Sequence, residues 1–193
     1  WLLAVLVASA AWAQPEADFG AMMKAFAGAA QSAQATNAPG MVSPKALKDS
    51  LPKELPGFER VEAGSEKQSM FGISTVIATG VYESGDKSLR IEITDMGGMG
   101  SLGAMAMMGM SNSEVDKETR TGFERTATYQ GFKALESFDK TDQSGQVEVY
   151  VGSRFTVKVT GSSLGSFDEL AAAVSAMDLK ALSELKPEVV PVP

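Results

Sequence analysis

Residues 147–159 leave the backbone little choice. Val147, Val149 and Val151 alternate with Glu148 and Tyr150; Gly152-Ser153 interrupts; then Phe155, Val157 and Val159 alternate with Thr156 and Lys158. A period of two puts all six apolar side chains on one side of an extended chain. The Gly-containing break between the two runs reads as a hairpin turn. Leu89, Ile91 and Ile93 repeat the pattern against Arg90, Glu92 and Thr94. Strands with one dry and one wet face belong to antiparallel sheets, because parallel strands are usually covered on both faces.

The rest of the chain fits around these strands. Residues 58–69 read as a polar edge strand, and 70–83, rich in β-branched residues, as a strand pairing with 88–95 across the Ser84-Gly85-Asp86 turn. Residues 122–129 and 132–139 flank Gln130-Gly131 as a further hairpin. Ser43-Pro44 opens a short helix, with Ser as the cap and Pro at the first helical position, and Leu47, Leu51 and Leu55 dock it. Ser166 and Glu169 have the spacing of a capping box ahead of a helix carrying Leu170, Val174 and Met177 on one face; Asp178 caps a last turn with Leu179, Leu182 and Leu185. Residues 112–120 are charged with mixed signs and read as a solvated connection. Hairpin then helix thus occurs twice, over 70–110 and 132–177. The expected fold class is α+β: an antiparallel sheet of about six strands, covered by two helices that pack together on one face.

The least ordinary composition lies in residues 97–110, GGMGSLGAMAMMGM, where Ser101 is the one polar side chain. With Met96 it holds six of the chain's eleven methionines. A helix apolar all round must be buried on every side or face a partner. Met99, Leu102, Met105, Met107, Met108 and Met110 are therefore the candidate contacts for a hydrophobic ligand or a protein partner, since thioether side chains adapt to irregular surfaces. The same sulfurs are soft ligands suited to Cu(I) or Ag(I), which makes Met105, Met107, Met108 and Met110 the alternative metal set. On a helix Met105 and Met108 fall on one side, Met107 and Met110 on another, so a compact three-sulfur site needs irregular backbone or help from Met22 and Met23. Gly98-Met99-Gly100-Ser101-Leu102-Gly103 has the form GxGxxG. Its preceding strand alternates, and a dinucleotide fold requires a buried parallel one; the glycines are expected to serve a tight turn and close helix–sheet approach.

Composition narrows the chemistry. The 193 residues contain no Cys and no His, which excludes a disulfide framework, a Ser-His-Asp triad, a Cys-His dyad and the ordinary His-containing zinc sites. A formal charge of −7 argues against nucleic acid and anionic lipid surfaces, both of which require clustered positive charge. Asp95, Glu136, Asp139, Glu148, Tyr150 and Arg154 lie near strand ends, but their spacing selects no acid–base pair. A carboxylate-based enzyme is the remaining, least favoured reading, and the expectation is a protein without enzymatic activity or cofactor.

At the N-terminus, residues 2–11 are apolar and Ala11-Trp12-Ala13 is a small-x-small site. Together they read as the h-region and cleavage site of a secretory signal peptide, 1–13, without its basic n-region. The run is too short to span a bilayer. Residues 14–42 follow as a short helix, with Phe19, Met22, Met23 and Phe26 on one face, and a Pro/Gly-punctuated linker. One α+β domain is expected over 43–185, a size sufficient for a core, and 186–193 (KPEVVPVP) as an extended tail. The chain is expected to be exported, periplasmic or extracellular, a monomer without stable membrane insertion after cleavage.

Gly152 through Gly161, then Leu170 and Asp178-Leu179-Lys180-Ala181-Leu182, preceded by Leu55-Pro56-Gly57-Phe58 and Tyr82 through Asp95, resemble small exported bacterial proteins of unknown function over residues 43–185. The order of elements is also similar to the PsbP/Mog1-type α/β/α sandwich. These motifs are structural and imply no activity and no site residue.

Overall fold

The computed structural model describes residues 40–70, 73–112 and 114–188. The expected signal peptide, the 17–30 helix, nearly all of the linker and the last five residues lie outside the described residues.

Helix α1 (Pro44–Asp49) starts as its sequence dictates: the Ser43 hydroxyl accepts from the Ala46 N–H at 3.3 Å, satisfying a donor the helix itself cannot. Strands β1 (Glu54–Leu55), β2 (Phe58–Met70), β3 (Ile73–Ser84) and β4 (Lys87–Asp95) follow as a meander. A 3-10 turn (Gly97–Met99) leads into α2 (Gly100–Asn112). A second meander comprises β5 (Asp116–Glu118), β6 (Gly122–Tyr129), β7 (Phe132–Asp139), β8 (Ser144–Val151) and β9 (Phe155–Ser162), and the described chain closes with α3 (Asp168–Ser175) and α4 (Leu179–Ser183). The tight turns need a left-handed residue and have one: Gly85, Gln130-Gly131 and Gly152 all take positive φ.

The two meanders join edge to edge into one nine-stranded sheet, ordered β1-β2-β3-β4-β9-β8-β7-β6-β5. At the seam β4 and β9 run antiparallel, with Ser88 opposite Ser162 and Asp95 opposite Phe155. The helix after β4 and the helix after β9 therefore leave from opposite ends of the sheet.

Alternation sorts the side chains. One face gathers Val76, Ala78 and Tyr82 of β3, Leu89, Ile91 and Ile93 of β4, and Phe155, Val157 and Val159 of β9, continued by Val147, Val149 and Val151 of β8. Leu47 of α1 and Leu51 just after it, Leu170, Ala173 and Val174 of α3, and Leu179 and Leu182 of α4 cover this face and form one core with it. Full burial of each such aliphatic side chain stabilises by about 1.5–3 kcal/mol.

Two expectations are corrected. The sheet has nine strands, not about six, and among the described residues four helices accompany it, not two. The added pieces are β1, of two residues, and β5, Asp-Lys-Glu, exposed throughout; neither has an apolar period to read. β5 is instead held by pairing with Phe123–Arg125, a Lys117–Glu124 contact of 3.1 Å and the Thr119 N–H donating to Gly122 O. Nor do the Met-rich and C-terminal helices pack together. α3 and α4 lie on the core face, whereas α2 lies on the other: Met107 and Tyr150 are buried outside the main core. Met110 adjoins Leu135 and Tyr150, whose positions alternate away from the core side chains of β7 and β8.

Candidate functional site

The turn into α2 explains the glycines of the GxGxxG-like run. A Cβ on Gly98 would lie 2.1 Å from the Ser74 carbonyl oxygen, and one on Gly103 2.9 Å from that of Met96. Gly100 has φ +55°, which reverses the chain into the helix. Contact with backbone, of β3 for Gly98 and of the turn after β4 for Gly103, and left-handed geometry at Gly100 account for all three, as close approach and a tight turn require.

The helix then sorts its methionines. Met107 is 1 % exposed, while Met105 is 66 %, Met108 60 % and Met110 41 % exposed. Met96 and Met99 are half-buried at the turn. Leu102 is in the helix, with its side chain outside the described residues. Met105 and Met108 thus share the open side and Met107 is buried on the other, so the four thioethers do not gather on one face. Three of the four strongly exposed large apolar side chains among the described residues belong to this helix, and a cluster of that kind marks a contact surface.

Beneath its C-terminal end lies a cavity of ≈ 250 Å³, lined by Met110, Val115, Thr126, Lys133, Leu135 and Tyr150. Val115 is positioned by a double link to β6: its N–H donates to the Thr126 hydroxyl at 2.9 Å and its carbonyl accepts from the Thr126 N–H at 2.7 Å. Val115, Thr126 and Lys133 also border a shallower groove of ≈ 700 Å³ that includes Arg125 and Thr128, which gives the cavity a mouth. Tyr150 is 7 % exposed, and its hydroxyl has no hydrogen-bond partner among the described residues. Because no fully buried side-chain polar atom there lacks a partner, that hydroxyl keeps some access to solvent, on a residue that lines the cavity. Burial first, and the Glu148 charge second, push the Tyr150 phenol up, so it stays a protonated donor.

The remaining polar candidates do not assemble a reaction centre. Asp95 is fully buried and fully used: its carboxylate accepts from Arg154 Nε and Nη2, both at 2.7 Å, and from the Val42 and Gly97 N–H groups, both at 2.8 Å. Arg154 also donates to Gly40 O, and the Glu188 N–H donates to Met41 O, so this end of the sheet is a knot of chain segments. Glu136 is buried on the core face, accepting from Arg125 Nε at 2.7 Å and from the Tyr129 hydroxyl at 2.6 Å. Burial and the Glu136 carboxylate raise the Tyr129 phenol, and the hydrogen bond to Glu136 raises the Arg125 guanidinium. Arg125 stacks over Phe123, 4.5 Å from the ring centroid. Three strand spacings separate β4 from β7, roughly 14 Å, so Asp95 and Glu136 cannot share a proton or a water. Asp139 accepts from the N–H groups of Thr141 and Asp142 in a turn. Among the described residues no three His, Cys, Asp or Glu side chains gather as metal ligands, and no helix is long and apolar enough to cross a membrane.

The methionines stood out in the sequence; Tyr150 and Leu135 as one wall did not. A signal was present, since both are large apolar residues on the otherwise polar side of their strands. Compared with known proteins, the chain matches no family model, no curated protein and no solved structure.

Proposed function

We propose that the protein is an exported, non-enzymatic binding domain that holds a small hydrophobic ligand beneath and against α2. One observation carries the reading. A 13-residue helix buries Met107 alone among its methionines, leaves Met105, Met108 and Met110 open, and uses Met110 to wall a cavity whose other side is Leu135 and Tyr150. Apolar lining with a few convergent polar groups is the ordinary composition of a ligand pocket, and ≈ 250 Å³, just below the usual range of about 300–1,000 Å³, suits a small ligand or part of a larger one. Export is supported by the apolar run and small-x-small site at residues 2–13, and places the site in the periplasm or outside the cell.

Native mass spectrometry of the chain recovered after export, without detergent, tests the reading together with uptake of the neutral fluorophore N-phenyl-1-naphthylamine. An organic adduct, or fluorescence enhancement that Leu135→Glu abolishes, is the expected result. A chain that carries no adduct and takes up no fluorophore overturns it. So does a copper or silver adduct that is lost when Met105, Met107, Met108 and Met110 are changed to Leu, because Leu keeps volume and removes sulfur.

A further inference from the structure

Resting on the binding reading above, we propose that the cavity beneath α2 takes an amphipathic ligand with a single carboxylate head. The head is held by the Lys133 ammonium and the Tyr150 hydroxyl, and the apolar body lies against Met110, Val115 and Leu135.

Two groups are without partners where the fold would ordinarily supply them. Tyr150 lines the cavity and is nine-tenths buried, yet its hydroxyl bonds to nothing among the described residues and keeps some solvent access. Accessible and not engaged by the described residues, that hydroxyl is a donor available to a ligand oxygen. Lys133 is the one charged residue of the cavity lining; it is half-buried and makes no ion pair among the described residues. A lysine stem covering apolar surface with its ammonium at the rim is the usual way such a residue meets an amphiphile.

The surrounding charges sharpen the sign. Glu148, two residues from Tyr150 on the same side of β8, is the nearest negative charge; it lies opposite Lys158 on β9 and is not part of the cavity lining. Glu114, Asp116 and Arg125 belong to the outer groove rather than the cavity. Lys133 therefore carries the only charge in the cavity lining, and it is positive. One ammonium and one hydroxyl match the two oxygens of a carboxylate, whereas a phosphate calls for more donors. The ≈ 250 Å³ corresponds to roughly eight waters of liquid, room for a short chain or for one end of a longer one.

The test uses the full chain with octanoate, 1-octanol and octylammonium, each measured by calorimetry and by displacement of N-phenyl-1-naphthylamine. Octanoate is expected to bind at least about tenfold tighter than octanol, and octylammonium more weakly than either. Lys133→Gln should erase the octanoate advantage and leave octanol unchanged. Tyr150→Phe, which keeps the ring and its packing, should weaken both. Lys180→Gln, on α4 away from the cavity, should change neither. Equal binding of octanoate and octanol, or an octanoate preference that survives Lys133→Gln, overturns the head-group assignment while leaving the hydrophobic site standing. Failure of octanol and the fluorophore to bind at all removes both the site and this inference.

Discussion

The chain builds one unit twice, a hairpin followed by a helix, and the copies have opposite fates. After β8 and β9, α3 carries a clear apolar stripe, buries Leu170, Ala173 and Val174, and becomes part of the core. After β3 and β4, α2 has no polar face to give to water; it crosses to the other side of the sheet, buries Met107 and leaves its other described methionines open. An amphipathic helix has one energetically distinct orientation, which is why it completes a core. A helix apolar all round has surplus contact surface, and on this sheet the surplus lies over a cavity. Two ion pairs tie the units together across the β4 seam. Asp95–Arg154 at one end is buried; Lys87–Glu169 at the other is partly open to water.

The largest effect should come from the buried tie. Asp95→Ala leaves the Arg154 guanidinium, 17 % exposed, without its counter-charge, and frees the Val42 and Gly97 N–H groups that the carboxylate held. Breaking a buried pair from one side costs about 3–5 kcal/mol. Chemical denaturation should show a lowered midpoint, and a midpoint equal to the parent's would mean that the knot contributes nothing. Next is the core helix. Leu170→Ala should cost about 2–5 kcal/mol, by lost transfer energy and a residual cavity, and should leave ligand binding at α2 intact. Loss of binding in that variant would show that the two units are not separable.

The strands were legible because alternation is a local signal with a period: Leu89 to Ile93, Val147 to Val151 and Phe155 to Val159 placed their own faces. The Ser43 and Asp178 caps were legible for the same reason, since each side chain bonds an N–H three residues on. The Ser166–Glu169 box was only half right. The Glu169 carboxylate reaches back to the Gly165 N–H and the Ser166 hydroxyl accepts from Asp168, one residue out of register. β1 and β5 were not legible, because strands of two and three residues exist through their partners. The side of the sheet on which α2 lies was not legible either, since a segment without a polar face encodes no direction. The methionines were therefore visible as a candidate site, while Lys133 and Tyr150, which give it chemical character, came from the pairing of β6, β7 and β8.

The exposed tie should respond to pH with a definite sign. Burial raises the Glu169 carboxyl, but the Lys87 ammonium and the Gly165 N–H outweigh it and hold the group below its ordinary value. A depressed folded pKa gives stability that is fully present above the unfolded value, about 4.3, and is lost as pH falls through the folded one. Glu169→Gln should therefore lower stability at about pH 7 and cease to matter once the pH has fallen below the depressed folded pKa. The gap at neutral pH should not exceed about 1 kcal/mol, because Lys87 is 40 % exposed and water screens the pair. A gap that persists unchanged into acid would assign the effect to packing.

The smallest effect on stability decides the comparison. If α2 is a second core helix, making its open side polar should harm the fold. If it is a contact surface, the fold should not notice. Met105→Ser with Met108→Ser alters two side chains already more than half exposed, and surface changes of this kind stay within about 0.5 kcal/mol. The expected outcome is an unchanged denaturation midpoint, with weaker uptake of N-phenyl-1-naphthylamine because the open side of α2, against which the ligand is proposed to lie, has lost apolar area. Met107→Ser is the internal control: a polar group placed under the helix, where Met107 is 1 % exposed, should destabilise by more than the double variant. Were the double variant the more damaging of the two, the open side of α2 would be supporting the fold, and the site would have to lie elsewhere on the molecule.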